Sequence, residues 1–192
     1  MAPLAGLIPS RTWLLAAAPV LLAGCGALTG CDDKVSADNA KVKISGQTFY
    51  LETAMDDTKR FRGLSERTHI EENGGMLFVF SQPRPPSLGG FVMRDCPVPI
   101  DILYLDRSGR VVTSYAMTPE PPRGPGEGKP GQKASDRPTP EDAKYNDRLK
   151  QYVSRHPYQF VVELKGGRLK DLNVKDGDIV EFDREELLKK AR

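Results

Sequence analysis

From residue 41 onward, apolar positions recur in short runs at every second residue, the period of a strand with one covered face. Lys41-Val42-Lys43-Ile44 alternates, Ser45-Gly46 turns, and Thr48-Phe49-Tyr50-Leu51-Glu52 resumes, which predicts a β-hairpin. Residues 56–64 read as a short helix: acids open it, bases follow, and Gly63 is placed to end it. Asn73-Gly74-Gly75 is a turn, and Met76-Leu77-Phe78-Val79-Phe80 is apolar throughout, so its strand is covered on both faces. Residues 88–94 read as a further strand, which Pro97 and Pro99 end because neither can donate to a ladder. Residues 100–106 and 111–117 form a hairpin around the turn Arg107-Ser108-Gly109-Arg110. Residues 158–164 and 178–182 complete the strands, with a helical turn over 168–172 between them. About eight short strands joined mostly by tight turns, with one or two small helices, predict a mainly β fold: a compact antiparallel barrel or sandwich.

Two stretches interrupt this pattern. Residues 118–140 hold seven of the sixteen prolines and almost nothing apolar, so they are expected to form a disordered Pro/Gly-rich loop. Residues 141–155 place Tyr145, Leu149 and Tyr152 on one face of a polar helix. The charged tail, 184–192, is expected to fray.

The first forty residues follow another logic. After Arg11 comes an apolar run from Trp13 to Leu22. At ~1.5 Å per residue it is too short to cross a hydrocarbon core of ~30 Å, and it fits the apolar region of a secretory signal. It leads into Leu22-Ala23-Gly24-Cys25, which resembles the lipobox of bacterial lipoproteins. The expected organisation is a signal peptide over 1–24, a lipidated Cys25, a flexible tether over 25–40 and a β domain over 41–183. Leu28-Thr29-Gly30-Cys31 also resembles a lipobox, so Cys31 stands as the alternative anchor. A diacylglycerol thioether, with a further acyl chain such as palmitate on the amine, would hold the exported domain at a bacterial membrane. One chain alone binds only marginally.

Charge and cysteine content narrow the chemistry. The formal net charge is +2, and removing residues 1–24 takes away only Arg11, leaving 27 basic and 26 acidic side chains. That balance carries no nucleic-acid footprint. Three cysteines without a Cys-x-x-Cys pair and two histidines argue against a zinc site, and nothing in the sequence calls for a cofactor.

Three ordered blocks together resemble the domain of unknown function 192 family. The first is Arg62-Gly63-Leu64 followed by Gly75-Met76-Leu77-Phe78-Val79-Phe80. The second is Phe91-Val92-Met93-Arg94, then Pro99-Ile100-Asp101-Ile102-Leu103-Tyr104-Leu105-Asp106, Gly109 and Val111. The third is residues 158–164, Gly166-Gly167, Leu172, Val174, Gly177 and Asp178. The resemblance implies a compact, mainly β domain, often exported or lipid-anchored, and implies no reaction. Cys96, where a small polar residue is common, and the long stretch 118–157 depart from the family pattern.

Among polar side chains, Asp101 stands out. In an extended strand it shares a face with Leu103 and Leu105, and a carboxylate on an apolar face must be paired or hydrogen-bonded. Arg62 and Arg94 are its expected partners, in an ion pair or at a ligand site; capping of backbone near Pro97 and Pro99 is the other reading. Cys96 reads as an idle thiol or as the disulfide partner of Cys31 in an oxidising envelope. The functional expectation is a membrane-anchored, non-catalytic module for a small ligand, glycan or envelope protein. A hydrolase using Asp101 with Arg62 or Arg94, and an assembly factor docking through the proline-rich loop, are the alternatives. Mass spectrometry of the membrane-extracted protein is expected to give a mature chain beginning at Cys25 plus acyl chains, a product that Cys25→Ala abolishes and Cys31→Ala does not; an unlipidated mass would reject the anchor.

Overall fold

The computed structural model describes residues 39–131, 136 and 139–191. Cys25, Cys31 and residues 1–38 lie outside the described residues, so the signal, the lipidation site and most of the tether do too.

Among the described residues, ten strands and α-helices follow one another along the chain. They are β1 (Asn39–Ile44), β2 (Gln47–Ala54), α1 (Asp57–Arg62), β3 (Gly75–Arg84), β4 (Ile100–Leu105), β5 (Val111–Met117), α2 (Pro140–Arg148), β6 (Tyr158–Lys165), α3 (Arg168–Asp171) and α4 (Arg184–Lys190). The strands form one six-stranded sheet in the order β1-β2-β3-β6-β4-β5. The fold is mainly β, as the alternation implies. The sheet is not closed, but residues 179–181 approach both of its edges. Lys43 and Glu181 exchange backbone hydrogen bonds of 2.8 and 2.9 Å, and Val180 N–H donates to Gly109 at 2.9 Å. A barrel-like wrap results.

Both faces of the sheet are covered. On one, Leu77, Val79, Leu103, Phe160, Val162 and Leu164 pack with Leu187 of α4. On the other, Met76, Phe78, Ile102, Tyr104, Tyr158 and Val161 pack with Leu64, Met93 and Tyr152. Alternation along residues 76–79 of β3, along β4 and along residues 160–164 of β6 sorts neighbouring residues onto opposite cores, and a register shift between Val79 and Arg84 lets Tyr158 join the second core with Val161.

The structure differs from the sequence reading in several places. Among the described residues six strands form rather than about eight. Residues 88–94 keep only the bridge from Phe91 to Tyr152, and residues 178–182 keep only bridges at Ile179 and Glu181. Gly90 explains the first loss: a Cβ there would lie 2.4 Å from the Tyr152 carbonyl oxygen, so the backbones touch too closely for a regular ladder. β2 and β3 pair in parallel, because residues 55–74 carry the chain back across the sheet through α1. The tether ends earlier than expected, since Asn39 and Ala40 already pair with Glu52 and Leu51.

α2 stops at Arg148, and Leu149 is extended. Tyr145, Leu149 and Tyr152 are all buried, but Tyr152 reaches the core from an extended segment held by Phe91. Nor are residues 118–131 without order. The Arg123 guanidinium takes Asp95 in a fork (2.9 and 3.0 Å) and bonds Asp142 Oδ1 at 2.8 Å, while lying 4.1 Å from the Tyr145 ring centroid. Arg148 takes Glu127 in a second fork (2.8 and 2.9 Å). Low apolar content is offset here by charge-assisted bonds, which composition alone does not reveal.

The tail is helical, not frayed. Asp183 caps α4 by accepting from Glu186 N–H at 3.0 Å, and Leu187 is fully buried. Leu187→Ala is therefore expected to cost about 2–4 kcal/mol in urea unfolding; a frayed tail would leave the midpoint unchanged.

Candidate functional site

A cleft of about 440 Å³ opens on the second face of the sheet, between the end of α1, the outer part of β3 and residues 88–96. Its floor is β6. Glu163 stands there opposite Met76 on β3 and Ile102 on β4, in a strand whose other residues up to Leu164 are buried too. Its Oε2 has no hydrogen-bond partner among the described residues. Burial alone pushes the Glu163 carboxyl up to about 8, so it is mostly protonated at neutral pH.

Gly63 sets the roof. It ends α1 with its N–H on the Lys59 carbonyl, at φ 51° and ψ −134°, a conformation that favours glycine. A Cβ there would meet the Phe78 ring at 3.4 Å and approach Glu163 Oε2 to 3.7 Å. Glycine therefore both turns the chain and brings it down over the floor.

The walls are arginine on aromatic. Arg60 and Arg84 lie 5.4 and 5.0 Å from the Phe80 ring centroid, and Arg94 lies 3.7 Å from that of Phe61. Such contacts contribute roughly 0.5–2 kcal/mol each and hold the guanidinium planes in place. Arg60 is further fixed by the Met55 and Val79 carbonyls (2.6 and 3.0 Å) and by Asp57 (2.8 Å); Arg94 donates to the Phe61 carbonyl. Arg84 Nε, by contrast, is buried and has no partner among the described residues. Phe91 packs edge-on against Phe78 and Tyr104, with centroids 4.9 and 5.7 Å away. The Tyr104 hydroxyl donates to the Tyr152 carbonyl, and burial pushes it up. Among the described residues, four arginines (60, 62, 84 and 94) thus line a cleft whose acids are the exposed Asp57 and the buried Glu163.

The model of the domain of unknown function 192 family, described as an uncharacterized ACR, matches residues 40–182. The chain belongs to this family. Two solved structures share the fold of this family member. One is a Sinorhizobium meliloti protein described as a candidate transcription regulator, 26% identical, with a TM-score of 0.54 over 78% of this chain and 97% of its own. The other is a Novosphingobium aromaticivorans protein of unknown function, 23% identical, with a TM-score of 0.54 over 74% of this chain and 83% of its own. No curated protein matches.

The residues expected to form a site in this family member separate. Arg62 and Arg94 both line the cleft, but Asp101 does not join them. Asp101 is 1% exposed and turns to the first face, where its Oδ2 accepts from Leu169 N–H at 2.6 Å and Gly167 N–H also donates to it. Burial raises its carboxyl and these donors pull it back, so it caps α3 rather than pairing with arginine. The sheet's alternation is the reason: Asp101 belongs with Leu103 and Leu105, whereas both arginines approach the other face. Cys96 is a free, buried thiol that touches the Arg94 carbonyl at 3.4 Å and is pushed up to about 12 by burial, which leaves it protonated and inert. Cys31, its expected partner, lies outside the described residues. Neither histidine lines the cleft. Among the described residues no group of three or more His, Cys, Asp or Glu side chains could hold a metal ion.

Glu163, Arg60 and Arg84 escaped the sequence reading. The signal for Glu163 was present: one carboxylate in the otherwise apolar run Phe160-Val161-Val162-Glu163-Leu164. Its folded carboxyl titrates above the unfolded one, so the folded state holds a proton that the unfolded state releases between about pH 4.5 and 8. As far as this group decides it, stability is thus greatest at acid pH and falls as pH rises through that window, because the ionised form is penalised by burial. Glu163→Gln is expected to remove the fall and to exceed the parent by on the order of 3 kcal/mol at pH 7. Urea unfolding at pH 5, 7 and 8.5 checks this, and equal slopes with pH for both proteins would reject it.

Proposed function

We propose that the protein is a lipid-anchored, non-catalytic binding module of the bacterial envelope, whose ligand is a small organic anion held in the arginine-walled cleft. The observation that carries this is the cleft's lining of four arginines, among them Arg84, whose buried Nε has no hydrogen-bond partner among the described residues. A buried donor without an acceptor costs about 1–3 kcal/mol, which a bound anion would relieve. The cleft's volume lies in the range of small-molecule sites. The lipobox-like stretch before Cys25 supports export and anchoring.

A non-catalytic reading is supported by the state of the nucleophile and the acid. Cys96 is held neutral, and Asp101 is spent on capping α3. The hydrolase built on Asp101 with Arg62 or Arg94 has no geometric support. A regulator of transcription, as the Sinorhizobium meliloti protein is described, would need a basic face, and 27 bases against 26 acids after residue 24 offer little to a phosphate backbone.

Benzoate, benzamide and benzylamine separate the charge classes. In ¹H–¹⁵N spectra of the full chain in detergent, benzoate is expected to shift the amides of Phe80, Arg84 and Phe91, and benzylamine to leave them in place. Arg84→Gln is expected to weaken benzoate about tenfold. Equal responses to all three probes, or an unchanged Arg84→Gln protein, would reject an anion site.

A further inference from the structure

The cleft has a second orphan, and it is of another chemical kind. Glu163 Oε2 lies on the floor, among Phe78, Met76 and Ile102, without a partner among the described residues. Apolar neighbours of this sort normally surround an apolar side chain. The orphan on the wall, Arg84 Nε, can only donate. A carboxylic acid on the floor also donates, through its O–H, and to an oxygen that need not be charged. Two donors with different preferences therefore face one cavity.

Resting on the anion site above, we infer that Glu163, as a carboxylic acid, is a specificity-determining residue: it donates a hydrogen bond to an uncharged oxygen on the body of an organic anion whose charge meets Arg84. The ligand class is then a carboxylate or phosphate that also carries a carbonyl or ether oxygen, rather than a plain fatty or aryl acid. The aromatic faces support this division of labour. Both Phe80 and Phe61 are already covered by guanidinium groups, so stacking on these two rings contributes little to selectivity.

The titratable groups around Glu163 do not compete with it. From residues 91–96, Cys96 is pushed up to about 12 and Arg94 stays charged. From β4 and β6, burial pushes Tyr104 and Tyr158 up, so both stay neutral. From α1 and β3, the guanidinium groups of Arg62 and Arg84 line the same cleft. Glu163, pushed up to about 8 by burial, changes charge near neutral pH, and its ionisation would remove the donor and set a negative charge against the ligand's oxygen.

Matched probes test this on the full chain in detergent. 4-Acetylbenzoate carries the carbonyl oxygen, and 4-isopropylbenzoate replaces it by a methyl of similar size. At pH 6.5 the first is expected to bind about tenfold more tightly in the same spectra. Glu163→Gln, which keeps a donor and cannot ionise, is expected to retain that preference and to hold it unchanged up to about pH 9.5, where the parent loses it. Glu163→Leu, which suits the apolar floor, is expected to bind both probes alike and still prefer benzoate to benzamide. Equal binding of the two probes by the parent, or a preference that survives Glu163→Leu, would overturn the role of Glu163 and leave the anion site standing. No binding of any carboxylate at ~10 mM would overturn both.

Discussion

The structure depends on one strand having no exposed face. β6 lies between β3 and β4, and every residue from Tyr158 to Leu164 is buried. A sheet covered on both sides needs two cores, and the chain supplies them by alternation. Phe160, Val162 and Leu164 face one and Val161 the other, where Tyr158 joins it beyond the register shift between β3 and β6. The short helices and the 88–96 segment are the covers. Where the cover over the second core is incomplete, the cleft opens, and its floor is necessarily central strand.

The incomplete cover is finished with arginine. A guanidinium can lie flat on an aromatic ring and still present charge to solvent, so Arg60, Arg84 and Arg94 close the apolar wall without making it neutral. The same device recurs at Tyr145, where Arg123 and Arg148 lie over one ring and fork onto Asp95 and Glu127. There every guanidinium has its carboxylates and the result is a brace for residues 118–131. At the cleft, Arg84 Nε has none among the described residues. The difference between a brace and a binding wall is the number of carboxylates nearby.

Much of the architecture was legible because it rests on period-two alternation and turn chemistry. The hairpins around Ser45-Gly46 and Gly109, the stop at Gly63 and the buried run from Met76 all follow from local residues. What escaped depends on contacts distant in sequence. Order in residues 118–131 requires Asp95, 28 residues before Arg123. The parallel pairing of β2 and β3 depends on where a 55–74 crossover lands. The sequence placed Asp101 on its correct face, beside Leu103 and Leu105, yet it could not place the arginines. Arg62 and Arg94 approach the opposite face, so the expected cluster never assembled. Fold-level alternation was sufficient for orientation and insufficient for company.

Asp101 and Glu163 make that limit concrete. They stand on neighbouring strands, one register step apart, since Asp101 pairs with Leu164 and Glu163 with Ile102. Each is an acid in an apolar strand, and each is raised by burial. Because alternation points them to opposite faces, Asp101 meets the backbone N–H groups of Gly167 and Leu169, while the Glu163 Oε2 meets no hydrogen-bond partner among the described residues. A satisfied buried acid holds a structure together, and its removal leaves amides unpaired. An unsatisfied one stabilises nothing in the free protein, and a leucine in its place would suit the floor better. The cleft that Glu163 lines is where the proposed ligand would supply that partner. That asymmetry between two acids on one sheet, more than the presence of either, is what assigns α3 to the first and the cleft to the second.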